Sequence, residues 1–268
     1  MAGKQEFMEV PSPSWIASTE QTNYPKLDQD IEVEVAIIGG GIVGITCAYL
    51  LKNEGVKVAV IEADRILQGT TGHSTAKITS QHGLIYARLK NQVGEELARQ
   101  YADANEQAIR LVADTVDELK INCDFGWRSA YVYTQSEKYL QDIEDEVEAA
   151  ISLGIKASYL DKIPLPFDVT AAERFDGQAQ FHPLKYLQVL ASKIPGDGSH
   201  IFEQTQAVNI NGNGSPMVVT RQGNTIRAEK IIFATHYPFF DGGGLYFSRI
   251  YQEKSYIVGV KIKEKFPE

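Results

Sequence analysis

The segment Gly39-Gly-Gly41-Ile-Val-Gly44 constrains this chain more than any other feature of its 268 residues. It fits G-x-G-x-x-G, a pattern that is weak when it stands alone. Here its surroundings make it specific. The β-branched run Val33-Glu-Val-Ala-Ile-Ile38 leads into the glycines and predicts a buried strand. Apolar residues at helical spacing from Ile42 to Lys52 predict a helix, which Gly55 stops. Val56-Lys-Val-Ala-Val-Ile61 predicts a second buried strand. Strand, helix and strand in about thirty residues form a βαβ crossover, which commits this region to an α/β fold with a parallel sheet.

Each glycine of that motif has a physical task. Gly39 permits the tight turn, Gly41 lets backbone approach a pyrophosphate, and Gly44 lets the helix pack closely on the strand. Ile42 and Val43 open the helix, whose free N–H groups and positive dipole end suit phosphate. Glu62 ends the second strand, where it can accept hydrogen bonds from ribose hydroxyls. Its charge repels a 2′-phosphate and so disfavours NADP. A glycine-rich turn that binds nothing is the competing reading, and the full strand–helix–strand–acid context argues against it. Cys47, inside the helix, reads as a small buried hydrophobe.

Residues 1–30 are polar and broken by Pro11, Pro13 and Pro25, so they predict a surface arm that Trp15 anchors. Gly69 to Gly83 predicts a loop, and a long helical stretch follows from Tyr86 to about Lys120. Asp124–Thr134 predicts a strand, Glu137–Leu153 a helix and Ile155–Leu160 a strand. The acidic stretch Asp161–Asp176, with Pro164 and Pro166, predicts loop or short helix. Leu184–Lys193 predicts a helix. Ile201–Ile210, Met217–Arg221, Thr225–Arg227, Lys230–Ala234 and Ser255–Lys263 predict strands, the last ending close to Glu268. Trp127, Tyr131 and Tyr133 read as aromatic strand core, with a substrate face as the alternative.

A formal charge of −9 argues against nucleic acid and anionic lipid as partners. Two cysteines make no disulfide framework, and no CxxC or CxH pair or zinc motif occurs, so no metal site is expected in these residues. His73, His82, His182, His200 and His236 are scattered and read as structural. No signal peptide or apolar run of about 20 residues is visible, so the expectation is a soluble, cytoplasmic protein.

Three segments together resemble a known family: Val35-Ala-Ile-Ile-Gly-Gly-Gly-Ile-Val-Gly44, Val58-Ala-Val-Ile-Glu62 and Gly69-Thr-Thr-Gly-His-Ser-Thr-Ala-Lys77. The family is that of the FAD-dependent D-amino-acid oxidases, with glycine oxidase, sarcosine oxidase and related amine oxidases. Gly72–Gly83, the lead-in from Pro13 to Pro25, and Phe233-Ala-Thr-His-Tyr-Pro-Phe239 look most like members that carry a C-terminal Rieske [2Fe-2S] domain. The resemblance implies FAD as cofactor. It implies that Thr70 and Thr71 meet phosphate oxygens and that Ser74 and Thr75 to Lys77 run under the flavin. Lys77 would be a cation beside the ring, or else a solvated lysine. Ala63 follows Glu62 into the same site, and Arg65 would touch the adenosine end or stand exposed. Val208 occupies the place of a valine whose backbone contacts adenine, and Ala234 and Thr235 approach the cofactor. Many relatives have glycine after that threonine, whereas this chain has His236.

The fold expectation is a Rossmann-like FAD-binding domain with an inserted antiparallel-sheet substrate domain, incomplete at its C-terminus. The expected division is an arm at 1–30, an FAD-binding domain at 31–122 and 196–245, and a partial substrate domain at 123–195 and 246–268. The expected activity is hydride transfer from a small amine or amino acid to flavin, with electrons passing to oxygen or a Rieske centre. A [2Fe-2S] cluster is expected only in a C-terminal domain beyond these residues. An NAD-dependent dehydrogenase and a non-catalytic flavin-binding fragment are the alternatives. No catalytic residue is assigned.

Overall fold

The computed structural model describes residues 12–211, 215–253, 255–256 and 263. In chain order the elements are α1 (Ser14–Ala17), β1 (Ile31–Ile38), α2 (Ile42–Asn53), β2 (Val58–Ile61), β3 (Lys77–Ile78), α3 (Tyr86–Val93), α4 (Glu95–Glu118) and β4 (Gly126–Thr134). There follow α5 (Leu140–Ser152), β5 (Ala157–Leu160), β6 (Ala171–Gln180), α6 (Pro183–Ser192), β7 (His200–Phe202), β8 (Ala207–Asn211), β9 (Met217–Thr220) and β10 (Thr225–Phe233). The chain divides into two units, 1–75 with 182–253 and 76–181 with 254–268.

The first unit is built on a six-stranded sheet ordered β7-β2-β1-β10-β9-β8. The four strands β7, β2, β1 and β10 are parallel, and β9 and β8 extend the sheet as an antiparallel meander. All four residues of β2, and Val35 to Ile38 of β1, are buried. Such unbroken apolar runs belong to parallel strands covered on both faces. One face of the sheet packs Ile38, Ile61, Phe202, Val218 and Ile226 into a common core. Helix α2 packs on β2 and on α6.

The second unit holds an antiparallel sheet in which β6 is central, paired with β4 on one edge and with β3 and β5 on the other. Helices α3, α4 and α5 cover the Phe175 side of β6, where Tyr86 stacks on Phe175 with ring centroids 6.0 Å apart. Tyr131 and Tyr133 pair with Arg174 and Ala172, so they lie on the opposite side of the sheet from Phe175.

Several expectations need correction. Residues 76–122 belong to the second unit rather than to the unit of the six-stranded sheet, and α6 belongs to the first unit. The acidic stretch read as loop or short helix contains β6 from Ala171 onward. Its sequence AAERFDGQAQ does not alternate cleanly, because polar Glu173 and Gln178 are buried, where Gln81 and Ser80 meet them. The long helix is two, broken at Gly94, whose φ of 85° no helix accommodates. The strand expected over Ile201–Ile210 is β7 and β8, separated by a turn with Gln204 at φ 50°. The two strands expected over 225–234 are the single β10. Trp127, Tyr131 and Tyr133 are 52%, 36% and 43% exposed, so they are not strand core. The strand expected at Ser255–Lys263 lies largely outside the described residues.

Candidate functional site

The C-terminal ends of the parallel strands meet at one level. The Gly39 amide donates to Ile61 O at 2.8 Å, the Glu62 amide to Phe202 O at 2.9 Å, and the Ala234 amide to Ile38 O at 2.8 Å. Chain order diverges here, since β1 lies between β2 on one side and β10 on the other. In open α/β sheets this is where ligands bind.

The glycines are set by backbone proximity. Gly39 has φ +110°, and a Cβ on it would lie 2.4 Å from Ala234 O. A Cβ on Gly44 would lie 1.9 Å from Gly39 O, which is the close helix-on-strand contact the motif anticipates. A Cβ on Gly40 would meet Ile66 Cγ2 at 2.4 Å. Gly41 is the N-cap of α2 and supplies no side-chain cap, and a Cβ there would stand 3.3 Å from Thr71 Oγ1.

Two side chains fasten this turn. Glu62 Oε2 accepts the Gly40 amide at 2.8 Å, and its Oε1 accepts the Asp64 amide at 3.1 Å. An ionised carboxylate offers about four acceptor positions, so two remain for hydroxyl donors. Thr71 Oγ1 accepts the Ile42 amide at 2.9 Å, so the loop after β2 caps the first turn of α2. Ile42 and Val43 are 45% and 56% exposed, which leaves that helix end open to a ligand. Thr71 is buried, whereas Ala63, Thr70, Ser74 and Thr75 are exposed.

The remaining predicted residues divide. Ala234 and Thr235 follow β10 directly beside Gly39. His236 adopts φ 63°, the left-handed conformation that a glycine would take there without a Cβ penalty. Val208 is 45% exposed at a bulge in β8, three residues after Thr205, whose amide donates to Glu62 O at 2.8 Å. Arg65 Nη1 donates to Thr22 O in the arm, so the arginine is engaged within the protein. Lys77 is exposed on β3 and belongs to the second unit. Among the described residues no group of three or more His, Cys, Asp or Glu is placed to hold a metal ion. No helix among them is long and apolar enough to cross a membrane.

Sequence reasoning missed Glu203, whose exposure is 2%. Its carboxylate accepts the Ile66 amide at 3.0 Å, the Tyr24 amide at 2.9 Å and the Thr22 hydroxyl. It thereby ties the arm to the loop that follows Glu62. Burial, and after it the Glu203 charge, holds the Tyr24 hydroxyl above its ordinary pKa. An acid directly after the apolar pair Ile201-Phe202 was the available signal, hidden when 201–210 is read as one strand.

The second unit contains a further buried carboxyl pair. Glu146 of α5 accepts the amides of Ile85, Tyr86 and Ala87, each at 2.8 Å, and so caps α3 from outside. Glu173 of β6 is also fully buried, accepts Gln81 Nε2 at 3.1 Å through Oε1, and leaves Oε2 without a hydrogen bond. Burial, then the nearby Glu146 charge, pushes the Glu173 carboxyl up to about 8, against the lowering effect of Gln81.

Residues 34–268 match the family model described as "FAD dependent oxidoreductase". The chain is 42% identical over its whole length to a Bacillus subtilis protein named as a Rieske 2Fe-2S iron-sulfur protein, YhfW, and spans 53% of that protein. It is 23% identical over 218 residues to the gamma-glutamylputrescine oxidoreductase of Escherichia coli, covering 79% of this chain and 50% of that protein. Thus the chain spans about half the length of the curated relatives it matches. Among solved structures, glycine oxidase from Geobacillus kaustophilus shares the fold with a TM-score of 0.61 at 18% identity, over 76% of this chain and 55% of that one.

Proposed function

Since the chain belongs to the FAD-dependent oxidoreductase family, we propose that its first unit holds FAD along the C-terminal edge of β1, β2 and β10. We propose further that it forms the flavin-binding portion of an enzyme oxidising a small amine or amino acid. The observation that carries this reading is the fastened turn at Gly39–Gly44. Its helix end is open, its acid keeps free acceptor positions, and a threonine hydroxyl sits where the helix begins.

In this reading Glu62 accepts from the ribose hydroxyls through the carboxylate positions that Gly40 and Asp64 leave free. The α2 N-terminus, with Thr70 and Thr71, meets the pyrophosphate, where N–H groups and the helix dipole favour negative charge. Val208, Ala234 and Thr235 contribute backbone at the adenine and dinucleotide, and Ser74 and Thr75 lead toward the flavin. Lys77 is assigned a cation's role at the ring by the family resemblance alone. When bound, FAD supplies hydride acceptance from the carbon next to the substrate nitrogen. Electrons would leave to oxygen or to a Rieske centre, the latter suggested by the name of the Bacillus relative. Exposed Trp127, Tyr131 and Tyr133 suit a substrate-facing role better than a core role.

The test is the visible spectrum of the purified chain, followed by a screen of amines and amino acids for bleaching under nitrogen. A flavin spectrum with bleaching by an amine supports the whole proposal. A flavin spectrum without bleaching by any candidate favours a flavin-binding module completed by other residues, consistent with the partial coverage of its relatives. A colourless protein that takes up no FAD but binds NAD overturns the cofactor assignment.

A further inference from the structure

The arm touches the loop that would receive the cofactor. Trp15 Nε1–H donates to Ser74 O at 2.7 Å, across 59 residues of sequence. Next to it, Ile16 packs on Gly72 so closely that a Cβ there would lie 2.8 Å from Ile16 Cδ1. On its other side α1 is held by α6. The His182 ring meets the Trp15 ring edge-on, with centroids 4.8 Å apart. His182 Nδ1 accepts the Lys185 amide at 3.3 Å, so in the neutral ring the proton sits on Nε2. Nε2 then donates to Ser18 Oγ, 3.0 Å away. His182 is therefore spent as a cap and clamp, and it does not activate Ser18 as a nucleophile.

The loop so held, Gly69–Ser74, carries Thr71, whose hydroxyl must stay 2.9 Å from the Ile42 amide to cap α2. A hydrogen bond weakens steeply as its geometry opens, so a loop free to move by about 1 Å would lose that cap for much of the time. Farther along, the arm is laced to the other side of the same site through Thr22 and Tyr24 on Glu203, and Thr22 O on Arg65.

We infer that the arm is a brace that pre-forms the cofactor loop, and that Trp15 is its positioning residue. This rests on the FAD reading above. Trp15 touches neither reacting atom nor substrate. It acts through Ser74 and Gly72 on the loop, lowering the ordering cost when the dinucleotide binds.

The experiment compares the full chain with Trp15→Phe, which keeps an aromatic ring and deletes the N–H donor. FAD is titrated into each apoprotein, and amide hydrogen exchange is mapped without FAD. Loss of this one hydrogen bond predicts FAD binding weakened about two- to tenfold. It also predicts faster exchange confined to residues 69–75 and the start of α2. Ser18→Ala, on the far side of α1, should move both readouts in the same direction by less, and it serves if Trp15→Phe folds poorly. Unchanged FAD affinity overturns the brace. So does weakened affinity with exchange accelerated throughout β1 and β2, which marks a merely structural residue. A wild-type chain that binds no FAD overturns the cofactor reading instead. In that case the exchange map still decides whether Trp15 holds the loop.

Discussion

Thr71 Oγ1 accepts the backbone amide of Ile42 at 2.9 Å, so a residue of the loop after β2 caps the helix that follows β1. Thr71→Val removes that acceptor with little change in volume. The loss of a cap costs about 0.5–2 kcal/mol. The variant should melt a few degrees lower and bind FAD roughly tenfold more weakly, while Thr71→Ser should recover most of both. Calorimetry with a parallel FAD titration checks it, and a Val variant with normal affinity removes Thr71 from the site.

Gly44→Ala should be far more damaging. Its Cβ would enter backbone, 1.9 Å from Gly39 O, and no rotamer relieves that. Pushing α2 off β1 costs about 1–3 kcal/mol or more. The expected result is a lowered melting midpoint with loss of FAD retention. Gly55→Ala, with open space around its Cβ but φ +82°, should cost about 1 kcal/mol and leave FAD bound.

Glu62→Gln tests the acid. The amide retains one acceptor oxygen for two backbone amides, so one of Gly40 and Asp64 loses its partner. Hydrogen bonds to charged groups are worth about 1.5–3 kcal/mol, which corresponds to FAD weakened by roughly tenfold to a hundredfold. The same variant should bind NADP no worse than wild type, because the repelling charge is gone. Equilibrium titration with both dinucleotides decides.

Glu173 makes a pH prediction. Its carboxyl is pushed up to about 8 in the folded chain by burial and by Glu146, whereas unfolded it titrates in the ordinary range near 4.5. Between those values the folded state holds a proton that the unfolded state has lost. Stability is therefore fullest below the unfolded range, falls as pH rises toward about 8 and levels off above, a loss of a few kcal/mol. Glu173→Gln, which keeps the shape without the titration, should flatten that slope and match or exceed wild type at high pH. Urea midpoints across pH 5 to about 9 measure it; an unchanged slope assigns the dependence elsewhere.

The βαβ unit was legible because its determinants are local. Short apolar runs, a glycine at each close approach and an acid at the strand end suffice, and backbone geometry turns them into the same turn in any sequence. The role expected of Thr70–Lys77 came only from resemblance. For Glu203 the sequence offered only an acid after the apolar pair Ile201-Phe202; its role stayed hidden because its partners Thr22 and Tyr24 lie about 180 residues away. For the same reason β6 escaped detection. Glu173 and Gln178 look solvent-loving until Gln81, Ser80 and Glu106 enclose them.

By itself, then, the sequence determined that a dinucleotide-type turn forms at Gly39–Gly44 with Glu62 beside it. Tertiary structure alone decided that β10 lies against β1, that α6 joins the first unit and residues 76–122 the second, and that Trp15 bears on Ser74. The difference is contact range. Neighbouring residues impose turns and strands through sterics and periodicity. Pairings across tens to hundreds of residues are fixed by which buried polar groups and apolar faces find partners once the chain has closed on itself.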